Sequence, residues 1–202
     1  MDDSSRTGMN ALAVDRRRFL RLGVVGGAAG LLALPAGTSW AKSHNRSEAF
    51  VSSCMDYRLV HATERYMAGR GLEKKYYQAM LAGASLAANP PTRPMPPPPD
   101  VKAWNTAFWD HLATAIALSG DRPAGPLRRV FVIDHRDCGA YDILLPGCCR
   151  DSAGNLDPVK ETAAHAAQLR TLRAEIDRRY PNPKMQVELL LMGLDGTVET
   201  IT

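Results

Sequence analysis

Apolar positions along the chain fall into two periods. A short apolar run, Ala-Phe-Val-Ser-Ser-Cys at 49–54, ends in small polar residues and reads as a buried strand. Residues 59–67 carry apolar side chains at helical spacing and stop at Gly69, as a helix does. A second short run at 76–82, closed by Gly83, reads as a strand. Residues 101–118 return to the helical period, with Trp104, Phe108, Leu112, Ala115 and Ile116 on one side. The run Arg-Val-Phe-Val-Ile-Asp-His at 129–135 is β-branched and apolar, as a central parallel strand is. An amphipathic helix is expected over 158–180, opened by Asp157 before Pro158 and stopped by Pro181. A last strand follows at 186–193, and Asp195-Gly196 turns the chain into a short tail strand. Strands alternating with helices predict an α/β fold: a single domain with a mainly parallel central sheet flanked by helices. Ligands of such sheets sit beyond the carboxyl ends of the strands.

Two segments stand outside this alternation. Residues 89–100 are proline-dense and end in four consecutive prolines, which suits an extended surface segment. At the other end, Arg16-Arg17-Arg18-Phe19-Leu20 precedes an uncharged, Gly- and Ala-rich run over 22–36, short for a membrane span, which needs ~20 residues. Ser39 and Ala41 then supply the small-x-small pattern read by a signal peptidase. This segment resembles a twin-arginine export signal. The resemblance implies a signal peptide over 1–41, a working domain over 42–202, the twin-arginine export machinery as a partner, and a periplasmic or otherwise exported location. Proteins using that route travel folded, often with a metal or cofactor already loaded. The alternative reading of the segment is an uncleaved membrane anchor.

Composition adds bounds. The chain has 202 residues, 45% hydrophobic and 23% charged, which is ordinary for a globular protein. A domain of about 160 residues buries roughly 70% of its unfolded surface and needs no staples. Four cysteines are too few for a disulfide-built scaffold. A net charge of +4, with no long basic stripe, excludes nucleic acid as the expected partner.

The candidate chemistry lies at two strand ends. The first strand runs into Cys54-Met55-Asp56-Tyr57-Arg58, and the central strand into His135-Arg136-Asp137-Cys138-Gly139. Two thiols and one imidazole at neighbouring strand ends can converge on one ion, and Cys2His with an open fourth position is a recognised catalytic zinc set. Taken alone, any one of these cysteines reads as an inert small hydrophobe, and Asp56 with Arg58 as a structural ion pair.

The paired motifs Cys-x-Asp-x-Arg and His-x-x-Cys-Gly resemble the signature of the β-class carbonic anhydrases, over roughly residues 48–202. The resemblance implies that Cys54, His135 and Cys138 ligate Zn2+. A zinc-bound hydroxide would then attack CO2 in its reversible hydration to bicarbonate. Asp56 would orient that hydroxide, and Arg58 would hold Asp56 ionised and in place. In some members the aspartate swings onto the metal and closes the site, as Asp56 would here. The resemblance also implies a homodimer or higher assembly, although the helical arm that many members carry before the first strand is missing. The family's Arg-Asn-Ala-Gly stretch stands here as Met80-Leu81-Ala82-Gly83, so the shape of the substrate pocket, and with it the substrate, is open. Two other readings follow: a zinc hydrolase of small CO2-like molecules such as carbonyl sulfide or carbon disulfide, and a non-catalytic periplasmic zinc or thiol protein.

The remaining candidates read more plainly. Cys148 and Cys149 fall in an expected loop and are open to bonding other thiols, to a second metal, or to no role. His61, His111 and His165 sit in helical patterns as surface or packing residues, with a proton relay as the alternative. Tyr57 and Tyr141 flank the motifs and are expected to line the pocket.

Overall fold

A computed structural model describes residues 47–89, 101–120 and 125–202. The expected signal over 1–41 and nearly all of the proline-dense segment lie outside the described residues. The strands are β1 (Ala49–Cys54), β2 (Tyr76–Leu81), β3 (Arg129–His135), β4 (Gln186–Met192) and β5 (Val198–Thr200). They form one sheet in the order β2-β1-β3-β4-β5, parallel except for the tail strand β5, which runs antiparallel to β4. The fold is the expected α/β architecture with a mainly parallel sheet. No helix among the described residues is long and apolar enough to cross a membrane.

The helices are α1 (Val60–Gly69), α2 (Ser85–Ala88), α3 (Val101–Leu118), α4 (Gly139–Leu144) and α5 (Pro158–Arg179). Helix α5 starts as expected: the Asp157 carboxylate accepts from the amides of Val159 and Lys160, and Pro158 fills the first turn, where its missing N–H costs nothing. Helix α1 starts one residue later than its periodicity suggests. Asp56 accepts from the Arg58 amide and tightens residues Tyr57–Leu59 into a 3-10 turn ahead of it. The two short helices α2 and α4 have too few residues to show a period, and the sequence pattern missed both.

Alternation in the strands sorts the core onto two faces. Phe50, Val130, Val132, Leu189 and Leu191 face α3 and α5, where Phe108, Leu112, Leu169, Leu172 and Ile176 meet them. Val51, Phe131, Ile133, Leu190 and Met192 face the other way, onto Leu59, Ala62 and Met67. On α3 the buried side includes Trp109, which the helical pattern omitted, while Trp104 and Ile116 are only partly buried. A third cluster lies beyond the carboxyl ends of β1 and β3 and joins Cys54 and Cys138 to Leu86, Tyr141, Leu144 and Cys149.

Candidate metal centre

β1 and β3 are hydrogen-bonded neighbours, with Ser53 opposite Ile133, so the motifs that follow them emerge side by side. The two sulfurs of Cys54 and Cys138 stand 4.0 Å apart. With His135 they form a buried group whose ligand atoms all lie within 4.8 Å of one another. The turn from His135 to Cys138 is built by a left-handed residue, Asp137 (φ 54°), whose amide donates to Glu161 Oε1 at 2.5 Å. Glu161 is itself buried and accepts from Arg136 Nη1 at 3.1 Å. The side chain that anchors the turn therefore comes from α5.

The donor set fits zinc. Two zinc-bound sulfurs at 2.3 Å in a tetrahedron are separated by about 3.8 Å, close to the 4.0 Å found. His135 Nδ1 lies 2.8 Å from the Arg136 carbonyl. A proton on Nδ1 satisfies that carbonyl and leaves Nε2 its lone pair, which is how a metal-binding histidine is oriented. Nε2 is buried and has no hydrogen-bond partner. An orphaned buried acceptor of this kind is costly unless something else occupies its lone pair.

The thiols are electrically unlike. The Cys138 thiol, donating to the Cys54 sulfur, holds Cys54 down at about 4 against the opposing effect of burial; His135 and the Gly83 amide assist. Cys138 is pushed up, first by the same contact and then by burial. Burial pulls the His135 imidazole down, but the Cys54 sulfur, the Arg136 carbonyl and Asp56 outweigh it and the net direction is upward. The Gly83 amide reaches Cys54 Sγ at 3.4 Å, and its φ of +70° suits glycine. This residue belongs to the Ala82-Gly83 half of the stretch that resembled the family pattern.

Asp56 and Arg58 stand beside the group. Arg58 Nε lies 3.1 Å from both Asp56 oxygens and Nη2 lies 2.7 Å from Oδ2. These bonds hold the Asp56 carboxyl down at about 2. Arg58 also bonds Asp137, through its carbonyl at 3.1 Å and its carboxylate at 3.3 Å, and so ties the two motifs together. Asp56 Oδ2 lies 3.9 Å from His135 Nε2. A cavity of about 550 Å3 opens over Cys54, His135 and Cys138, with Asp56 on its edge and mostly apolar walls from Met55, Trp104, Ile143 and Leu144. Of the stretch at 80–83, only Ala82 lines it; Met80 is exposed on β2 and Leu81 packs against the core.

Tyr57 lines the cavity, as expected, but Tyr141 does not. Its hydroxyl instead donates to buried Asp134 at 2.6 Å. Asp134 also accepts from the Ser85 amide (3.0 Å), the Ser85 hydroxyl (2.6 Å) and His165 Nδ1 (2.9 Å). His165, read from the pattern as a surface or packing residue, is fully buried within this network, and its Nε2 has no partner. His61 and His111 lie on exposed positions away from the group. Sequence reasoning passed over Glu161, Asp134 and Ser85. One signal could have found Glu161 and His165: they share a helical stripe with Leu169, Leu172 and Ile176, all buried.

No family model matches the chain. An uncharacterized protein of Rickettsia conorii is 32% identical over 160 residues, covering 79% of this chain and 75% of that protein. Another, of Rickettsia bellii, is 30% identical over 160 residues, covering 79% of this chain and 85% of that one. Among solved structures, the carbonic anhydrase from Glaciozyma antarctica superposes with a TM-score of 0.43 at 15% identity, covering 94% of this chain and 98% of its own. The apo form of a carbon disulfide hydrolase gives a TM-score of 0.37 at 10% identity, with 92% and 91% covered.

Proposed function

The chain belongs to one family with the two rickettsial proteins, and we propose that it is a zinc lyase that interconverts CO2 and bicarbonate. The observation that carries this reading is the joint placement of three ligand atoms and an Arg-clamped carboxylate along one apolar cavity. Cys54, His135 and Cys138 would hold the ion. Zinc in such a set acidifies a water, so that hydroxide is available near neutral pH.

The chain's own residues do the rest. Asp56, ionised at every working pH, would accept a hydrogen bond from the nucleophile and so fix which lone pair faces the substrate. Arg58 keeps Asp56 in that orientation through a two-pronged contact that a lysine cannot reproduce. The apolar walls suit a small uncharged molecule. In a closed form, Asp56 itself would take the fourth ligand position.

Metal analysis joined to stopped-flow CO2 hydration tests the reading. One zinc per chain is expected, with Asp56→Asn retaining its zinc and losing about 10- to 100-fold in rate. A zinc-replete protein without hydration activity at any pH overturns it. The same cavity favours a second reading, hydrolysis of carbonyl sulfide or carbon disulfide, because its apolar lining suits an uncharged sulfur-containing substrate equally well. A substrate panel separates the two. A purely metal-storing or thiol role has no use for the Asp56–Arg58 clamp. Export through the twin-arginine route and assembly into a dimer or larger species complete the proposal. Fractionation of cells with Arg16 and Arg17 changed to lysine tests the first. The molecular mass in solution tests the second, for which the outer edge of β2, with no strand beyond it among the described residues, and exposed Met80 offer a surface.

A further inference from the structure

The Cys148-Cys149 pair has no part in the chemistry above. It lies in the turn that follows α4, and its backbone is tied on both sides. The Cys148 amide donates to the Leu145 carbonyl at 3.0 Å, and the Cys149 carbonyl accepts from the Asp157 amide at 2.8 Å. Arg150 grips the Asp142 carboxylate, with Nε 2.9 Å from Oδ1. Within this fixed turn the two sulfurs stand 2.7 Å apart, about 0.65 Å beyond a covalent S–S bond. Cys54 and Cys138 are engaged with each other. The two members of the pair differ in access: Cys149 is 3% exposed, whereas Cys148 is only half-buried.

We propose that Cys148 and Cys149 are a reversible dithiol–disulfide site, oxidised by a small disulfide of the glutathione class. Cys148, the accessible member, loses its proton and its sulfur attacks one sulfur of the external disulfide. That S–S bond breaks, and the departing thiolate takes up a proton. Cys149 then loses its proton and attacks Cys148 Sγ, which forms the protein disulfide and expels the second external thiolate. Two protein thiols are oxidised and one external disulfide is reduced to two thiols.

Reversibility follows from adjacency. Neighbouring Cα atoms are about 3.8 Å apart across a trans peptide, below the roughly 4.4–6.8 Å of ordinary disulfides, so the closed ring is strained and readily reduced. Burial pushes both thiols up, Cys149 furthest, which makes the exchange slow at neutral pH and faster in alkali.

The test equilibrates the folded, full-length protein with oxidised glutathione at alkaline pH, alkylates the free thiols and digests with trypsin. Cleavage after Arg136 and Arg150 places Cys138, Cys148 and Cys149 in one peptide. The expected product carries a label on Cys138 only, is two hydrogens lighter than the reduced peptide bearing that same single label, and takes up three labels in all when dithiothreitol precedes alkylation. Cys149→Ser is expected to stop at a glutathione adduct on Cys148, and Cys148→Ser to take up no glutathione. Three labels in the oxidised sample overturn the proposal, as does a bond from either residue to Cys54, Cys138 or a second chain. The wild-type peptide decides the matter even where a serine variant fails to fold.

Discussion

Replacing Asp134 with alanine removes the acceptor shared by four buried donors: the Ser85 amide, the Ser85 hydroxyl, the Tyr141 hydroxyl and His165 Nδ1. The two hydroxyls stand 3.0 Å apart, so one of them can donate to the other once the carboxylate is gone, and the hydrogen of the other is orphaned. The Ser85 amide and the His165 imidazole have no such recourse, since Asp134, Ser85 and His165 are all essentially inaccessible to water. Each of the three orphaned donors costs about 1–3 kcal/mol, so the loss is about 6 kcal/mol. That is a large part of the total stability of a domain, about 5–15 kcal/mol. Urea unfolding followed by both circular dichroism and tryptophan fluorescence reads the loss. With a slope of about 2 kcal/mol per molar, the midpoint falls by about 3 M.

Tyr141→Phe supplies the control. It removes one donor and leaves Asp134 with three, so it costs about 1 kcal/mol, or about 0.5 M in midpoint. The loss comes from orphaned donors rather than from the number of bonds removed. A midpoint that moves by less than about 0.5 M in Asp134→Ala, or an equal shift in Tyr141→Phe, refutes this. Metal content must be held equal in both samples, because an ion that binds only the folded chain shifts the midpoint by itself.

Three further outcomes are expected. Metal-free protein absorbs near 240 nm as a thiolate at neutral pH, loses that band as pH falls through about 4, and lacks it in Cys54→Ser, because Cys54 is the depressed member of the pair. Gly83→Ala destabilises the protein by about 1–2 kcal/mol through its positive φ alone. Crowding adds to this, since the new Cβ would sit 3.0 Å from Leu86 Cδ1 and 3.1 Å from Ala140 Cβ; urea midpoints measure the sum. Arg58→Lys is expected to keep zinc and to raise the Asp56 titration from about 2 toward its ordinary 3.8, which carboxyl NMR follows. The folded-state carboxyl being the lower one, the stability contributed by this pair is complete above the unfolded pKa. It disappears as pH falls through about 2, so the variant loses stability at neutral pH and less in strong acid.

What could be read from the sequence and what could not divide along a physical line. β3 was legible because seven residues with a parallel strand's composition have few other places to go. The start of α5 was legible because Asp157 and Pro158 act through their own backbone neighbours. The ligand group was legible because each motif is short and follows a strand, so adjacency of β1 and β3 in the sheet suffices to bring Cys54, His135 and Cys138 together. The supporting side chains obey no such local rule. Glu161 and His165 reach the turn and Asp134 from α5, across 24 and 31 residues of chain, and only the packing of that helix brings them there. Yet their positions carried a trace: a carboxylate and an imidazole on the same helical stripe as Leu169, Leu172 and Ile176 must be buried with them. A buried charge-bearing group persists only where partners meet it. Polar residues on an apolar stripe are therefore a statement about some other element, here the carboxyl end of β3, where the candidate ligand His135 follows Asp134 directly.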